Sequence, residues 1–302
     1  MKLSRHGLLL AVLQLALCAG LPQVARAAGA ATPEAPAVKR DARALMEASV
    51  RRHQHDPYVY EEQALILIDA AGNRSVRKAR FFLRVEADRR MRMLLVFDDP
   101  EEVRGVALLA ERGAARMAKS AVYLPALAGG MVTGSADTRG SHFLGTDFAI
   151  EDLVVEATED WNYRIEGTRE IGRVPHWVVR AEPRDADAAA TTGHGARRHW
   201  LRKDTLFIVR TDYLDRRGRL VKRQSWRDLR RIDADSWRAD MVLMEDFREQ
   251  HKTLVKVERR VLSQDYVPAA LFEPAWLQAR RHLLPVSPDA ATAAAPAGGA
   301  RN

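Results

Sequence analysis

From Tyr58 to Val261 the chain is mostly strand-length apolar segments separated by turn residues. That texture narrows the fold more than any other feature. Tyr58–Asp69 carries Val59, Leu65, Ile66, Leu67 and Ile68, and Ala70-Ala71-Gly72-Asn73 turns it toward a second segment, Arg74–Glu86. Met91–Phe97, Val103–Ala110 and Arg116–Leu124 continue the series. The second half adds Val154–Arg169, Pro175–Glu182, Arg198–Lys203, Leu206–Leu214, Leu220–Leu229, Trp237–Phe247 and Lys252–Val261, with Gly172, Gly195 and Gly218 at turns. Such spacings are those of an antiparallel meander. A helix precedes it at Asp41–His53, with Asp41 as cap, Ala42, Leu45, Met46 and Ser49-Val50 at helical spacing, and Pro57 as the stop. Pro268–Leu284 reads as one or two closing helical turns. Roughly ten to twelve strands with one long helix predict an α+β, mainly β chain. The expected architecture is a single strongly curved antiparallel sheet, an incomplete β-barrel, wrapped around helices. No boundary divides residues 41–284, so one domain is expected.

Residues 1–27 carry the marks of an export signal. Lys2 and Arg5 form a basic start, Leu8 to Leu17 is an apolar run too short to span a bilayer, and Ala25-Arg26-Ala27 gives a small-x-small cleavage pattern. Residues 28–40, rich in Ala and Pro, read as a disordered linker, and residues 285–302 as a disordered tail. The expected location is the periplasm. Cys18, the single cysteine, lies in the leader, and Leu17 before it makes a poor lipidation site. Cleavage after Ala27 discards the thiol, so disulfides and thiolate chemistry are excluded from the mature chain and stability rests on burial. The leader's three basic residues bring the net charge of +8 down to +5. Scattered cations at that density permit contact with anionic surfaces, while nucleic acid is excluded for want of a basic cluster interleaved with aromatics.

The motifs of common enzymes are missing: no G-x-S-x-G elbow, no phosphate-binding loop and no dinucleotide fingerprint. His53-x-His55-Asp56 has the donors for a metal but reads as solvated surface, and His194 and His199 follow the small-residue stretch Arg184–Ala196, expected to be a mobile hairpin tip. Asp147, Glu151 and Asp152 have the spacing of paired acids and also that of a capped helix start, which is the reading preferred here. No metal and no cofactor are expected. Aromatic and aliphatic residues crowd the first half, from Phe81-Phe82 through Leu94–Phe97 to Phe148. A curved, unclosed sheet has more concave surface than one helix fills, and the surplus would line an apolar cavity.

Tyr123-Leu124-Pro125-Ala126-Leu127, followed by Ser141-His142-Phe143-Leu144-Gly145-Thr146-Asp147-Phe148 and then Glu151-Asp152-Leu153, resembles the outer-membrane lipoprotein-sorting family of the LolA-like superfamily. Phe97-Asp98-Asp99-Pro100-Glu101-Glu102-Val103-Arg104-Gly105, Tyr213–Lys222 and Phe272–Leu277 are similar to further family segments in the same order. The resemblance implies an incomplete barrel around helices, with a hydrophobic cavity for acyl chains. It also implies a soluble periplasmic carrier moving lipids or lipoproteins toward the outer membrane, with transient membrane contact and an association with an RND-type exporter. Where family members carry a basic run after Y-L-P-A-L, this chain has Ala128-Gly129-Gly130-Met131-Val132-Thr133-Gly134, an uncharged segment that reads as a flexible lid.

The expected lining residues are Tyr123, Leu124, Leu127, Met131, Phe143, Leu144 and Phe148. Pro125, Gly145, Asp147 and Asp152 complete the motif as structural residues, Gly145 by permitting a turn that a side chain would block. Two alternatives stay open: a lipid-sensing regulator of the cell envelope, and a lipid hydrolase using Ser141, His142 and Asp147. The latter set is too close in sequence for a good triad, because neighbouring strand residues point to opposite faces.

Overall fold

The computed structural model describes residues 41–113, 119–127, 131–134, 143–153 and 157–286. The expected leader, linker and Cys18, and all of the tail beyond Val286, lie outside the described residues. The first helix, α1, spans Ala42–His53. Asp41 caps it by accepting the backbone N–H of Arg43 at 2.9 Å, which satisfies one of the orphan donors of the first turn. Ala42, Met46, Ser49 and His53 form its buried stripe, and Arg51, Arg52 and His53 sit at the negative end of the helix dipole.

Thirteen strands follow: β1 Tyr58–Ile68, β2 Arg74–Val85, β3 Met91–Asp99, β4 Ala107–Arg112, β5 Lys119–Tyr123, β6 Met131–Gly134, β7 Trp161–Ile171, β8 Val174–Pro183, β9 Ala196–Arg202, β10 Ile208–Leu214, β11 Leu220–Arg231, β12 Trp237–Asp246 and β13 His251–Val261. All belong to one antiparallel sheet in the order β6-β5-β4-β3-β2-β1-β13-β12-β11-β10-β9-β8-β7. The expected curved, unclosed, mainly β sheet with few helices is what the chain forms. Two sequence boundaries shift for local reasons. Pro100 and Gly105, the latter at φ +78°, turn residues 101–106 into a short 3₁₀ turn and loop, so β4 starts at Ala107. A second 3₁₀ turn at Thr158–Asp160 delays β7 to Trp161. The short β6 was not anticipated.

Cross-strand pairs sort the side chains onto two faces. Leu65 pairs with Val255, Val255 with Val242, and Val242 with Trp226, all on the inner face. Helix α1 packs on that face at the far end of the sheet, where Met46 meets Val179 of β8 and Leu201 of β9. Its Arg43 donates to the carbonyls of Thr158 and Trp161 at 2.9 and 2.6 Å. The outer face of β1–β5 is covered instead by the C-terminal segment, which contains helix α4, Pro274–Gln278, between short 3₁₀ turns. Val267, Leu271, Phe272 and Leu277 close over Tyr60, Phe82, Leu94 and Val96. Because both faces are covered, Met91–Phe97 is buried without a break.

The stretch Arg184–Ala196 corrects the expectation of a mobile tip. It holds a short helix, α3 Ala186–Ala190, capped by the Asp185 carboxylate on the N–H of Ala188 at 2.8 Å. Ala188, Thr192 and His194 are buried. Low bulk does not make this stretch mobile, because alanine favours helix and the small side chains permit close packing.

Leu277 is fully buried beneath the C-terminal segment. Leu277→Ala is expected to lower stability by about 2–5 kcal/mol, read as a lower urea midpoint at an unchanged slope.

Candidate functional site

The inner face leaves a cavity of about 340 Å³ between α1 and residues 143–153. Strand alternation supplies its walls: Val59 and Leu65 from β1, Phe81 and Leu83 from β2, Leu95 from β3, Val242 from β12, and Val255 and Val257 from β13. Phe207, Trp226 and Trp237 close one side, and Phe143, Phe148 and Leu153 form the roof. A polar fringe interrupts this wall. Arg260 donates to Glu61 at 2.6 Å and to Asp240 at 2.8 Å, Gln63 donates to the same Glu61, and His199 meets Thr211 at 2.8 Å. These groups pair with one another, while Glu151, Asp152, Arg197 and Arg238 add charge to the same lining.

The roof is pinned by polar anchors. Leu144 and Gly145 both have positive φ, at 48° and 75°, which lets the chain reverse between Phe143 and Thr146. The Leu144 carbonyl accepts from Arg77, and the Phe143 carbonyl from the Thr146 hydroxyl. Asp147 is fully buried: its carboxylate accepts the Thr253 hydroxyl at 2.6 Å and lies 2.9 Å from His251 Nδ1, while its own N–H donates to Thr253 Oγ1. Asp152 caps the next helix, α2 Ile150–Leu153, by accepting the N–H of Ala149, and it pairs with Lys222 of β11. Lys222 itself is 2 % exposed. Glu151 accepts the N–H of Gly193 and stands 3.6–3.7 Å from Arg197 and His194. The acids at 147, 151 and 152 thus hold the roof to β9, β11 and β13.

The ionisation states follow from burial. Desolvation opposes charge on Asp152, yet the Lys222 ammonium outweighs it and, with His194 and the Ala149 N–H, holds the carboxyl below its usual range. His194 behaves oppositely: burial, reinforced by Arg197 and Lys222, pushes it down to about 4 against the pull of Asp152. It is therefore neutral at pH 7.

Among the expected lining residues, Phe143 and Phe148 border the cavity. Leu124 and Leu144 pack half-buried against the same inner cluster. Tyr123 projects to the opposite face, where its ring meets His282 at 4.7 Å under the C-terminal segment. Leu127 is 48 % exposed. The Met131 side chain, Ser141, His142 and residues 128–130 of the expected lid lie outside the described residues, while residues 131–134 of it form strand β6 rather than a flexible loop. Pro125 packs near Gly105, beside Leu283 of the C-terminal segment. The walls from β1, β2, β12 and β13 were missed. Their signal was the apolar content of the strands, which marks burial without saying which face is left unfilled.

The histidines need correction. His53 is not solvated surface: its Nε2 lies 2.9 Å from the Thr205 carbonyl, its Nδ1 accepts the Trp237 N–H, and it closes the cavity at the end of α1. His194 and His199 are likewise buried. Among the described residues no group of three or more His, Asp or Glu side chains is arranged to hold a metal ion. No described helix is long and apolar enough to cross a membrane.

The model of a family described as uncharacterized protein-like matches residues 89–279, well over half of the chain. This chain belongs to that family. No curated protein matches it. Solved structures locate the fold. An outer membrane lipoprotein-sorting protein domain from Vibrio parahaemolyticus superposes with a TM-score of 0.72 at 20 % identity, covering 78 % of this chain and 98 % of its own. A DUF1329 family protein from Desulfovibrio piger gives 0.66 at 24 % identity, with 77 % and 99 % coverage. A LolA superfamily protein from Nitrosomonas europaea gives 0.60 at 15 %, with 78 % and 98 %. The fold is LolA-like, which is the architecture that the resemblance carried by Tyr123–Leu127 and Phe143–Leu153 implies.

Two outcomes test the roof. Lys222→Met strands a buried carboxylate and is expected to cost about 3–5 kcal/mol, while Lys222→Met with Asp152→Leu recovers most of that; chemical denaturation reads both. The second outcome concerns pH. His194 ionises near 4 when folded and near 6.5 when unfolded, so the fold favours its neutral form. That stability is complete above about pH 6.5 and is lost as pH falls toward about 4. His194→Gln is expected to flatten the stability profile in that window.

Proposed function

We propose that this protein is an exported carrier that binds acyl chains of lipids or lipoproteins in its inner cavity for transfer toward the outer membrane. The observation that carries the reading is the apolar wall left unfilled between α1 and the roof. A volume of about 340 Å³ suits one extended chain better than several and falls in the usual range of ligand pockets. About ten methylenes entering it contribute about 8 kcal/mol of transfer free energy, less the cost of association. The LolA-like fold supports the carrier reading at the level of architecture, and the leader of residues 1–27 supports export. An RND-type exporter as donor is the finer part of the proposal and stands on the family resemblance alone.

Release requires a second state of lower affinity. The roof is the element built to supply it, because its anchors are hydrogen bonds and ion pairs that can exchange for water, unlike the packed strands beneath.

Val242 is a half-buried wall residue with space before it. Val242→Trp fills that space with apolar volume and is expected to weaken binding of a fluorescent fatty acid by about tenfold or more while circular dichroism and melting stay native-like. A wild-type protein that takes up no acyl probe, or a folded Val242→Trp that binds as wild type does, would remove the cavity as the binding site.

A further inference from the structure

The outward face of the sheet carries a feature independent of the cavity. Register aligns Val76 of β2 with Ile66 of β1, Ile66 with Leu254 of β13, and Leu254 with Leu243 of β12. Their neighbours Leu65, Val255 and Val242 line the cavity, so this row points the other way. Val76 is 50 % exposed and the other three are half-buried. None of the four lies in the cluster under the C-terminal segment. The result is an apolar ridge across four strands, about 14 Å long from the spacing of paired strands.

Cations flank it on both sides. The adjacent row toward one end of the strands runs Asp99, Lys78, Ala64, Lys256, Met241, Arg227, three cations against one acid at its β3 end. On the other side the row runs Arg74, Ile68, Lys252, Glu245, Arg223, Asp212; Glu245 pairs with Lys252 at 3.2 Å and Asp212 with Arg223 at 2.7 Å, which leaves Arg74 as the exposed cation of that flank. Lys78, Lys256 and Arg227 are exposed.

We propose that this outward face docks the protein on an anionic lipid bilayer, with the apolar row at the boundary of headgroups and acyl chains and the flanking cations against acidic headgroups. A ridge with cations on both flanks matches a laterally uniform anionic surface better than a shaped protein partner. The apolar row adds burial to an attraction that charge alone would leave salt-labile. Docking in this orientation holds the protein by the outside of the sheet and leaves the inner face unobstructed.

The full chain is mixed with vesicles of phosphatidylcholine containing about one-third phosphatidylglycerol, and with vesicles of phosphatidylcholine alone. Co-sedimentation with the anionic vesicles only, falling as salt rises from about 0.05 to 0.5 M, is the expected result. Lys78→Glu with Lys256→Glu, and separately Val76→Asp, should each weaken partitioning about tenfold or more. Circular dichroism and fatty-acid uptake should stay as in the wild type, because these side chains face away from the cavity. Equal partitioning onto both vesicle types, or variants that partition as wild type does, would overturn the proposal. So would a wild type that ignores both vesicles while binding polyglutamate through Lys78 and Lys256, which would assign the face to an acidic protein instead. Loss of fatty-acid uptake with vesicle binding intact would count against the carrier reading and leave the docking proposal standing.

Discussion

The pairing of β1 with β13 joins what would otherwise be two separate meanders. Strands β1 to β6 run outward in sequence order on one side, and β13 back to β7 on the other, so the whole sheet turns on the ladder from Tyr60–Val261 to Ile68–Lys252. Those partners lie almost the full length of the domain apart, which makes this the slow, entropically costly contact of the fold. It also dictates the roof. With β6 and β7 at opposite edges, the chain between them has to return from one edge to the other. The described part of that connection, residues 143–153, does so across the inner face. The cavity is a consequence of the topology, because one connection and one helix cover a concave surface larger than either can fill.

The roof is held by chemistry unlike that of its walls. Phe143 and Phe148 supply the apolar contact, but position comes from Asp147 on Thr253 and His251, Asp152 on Lys222, and Glu151 on Gly193. A buried ion pair adds little net stability over apolar packing of the same volume, yet removing one partner is costly. Such anchors therefore specify one placement of a segment whose apolar residues would pack nearly as well elsewhere. His194 sits among them neutral, with both ring nitrogens buried and making no hydrogen bond, so protonation would place a charge where Arg197 and Lys222 already stand.

Much of the fold was legible because alternation and turn residues are local signals. The strands from β8 to β13 and the capped helix at Asp41 fell close to their expected bounds. What failed to show was which apolar face met what. Tyr123 and Phe143 look alike in sequence, yet one lies under the C-terminal segment and the other over the cavity, a difference set by strand parity and by a tertiary cover arriving some 150 residues later. The three acids after Gly145 have the local pattern of a capped helix start. Asp152 does cap, but its stronger partner is Lys222, which no local pattern connects to it. His53 shows the same limit: its exposure depended on Thr205 and Trp237, both distant in sequence.

Central strands that are apolar on both faces raise a question of register. Ala64-Leu65-Ile66-Leu67-Ile68 in β1 offers no alternation of its own, and a slip by one residue would exchange the cavity wall for the outer ridge at little hydrophobic cost. The polar residues decide it. Glu61 needs Arg260 and Gln63 on the inner side, and Thr253 must face inward to receive Asp147, so a slipped β1 or β13 would bury those groups unpaired. On the outer side the same register sets Lys78 beside Ala64, with Lys256 beyond it and Asp99 of β3 on its other flank. The polar fringe of the cavity and the cationic border of the ridge are two results of one register choice. A substitution that frees Glu61 or Thr253 therefore threatens both faces of the sheet together.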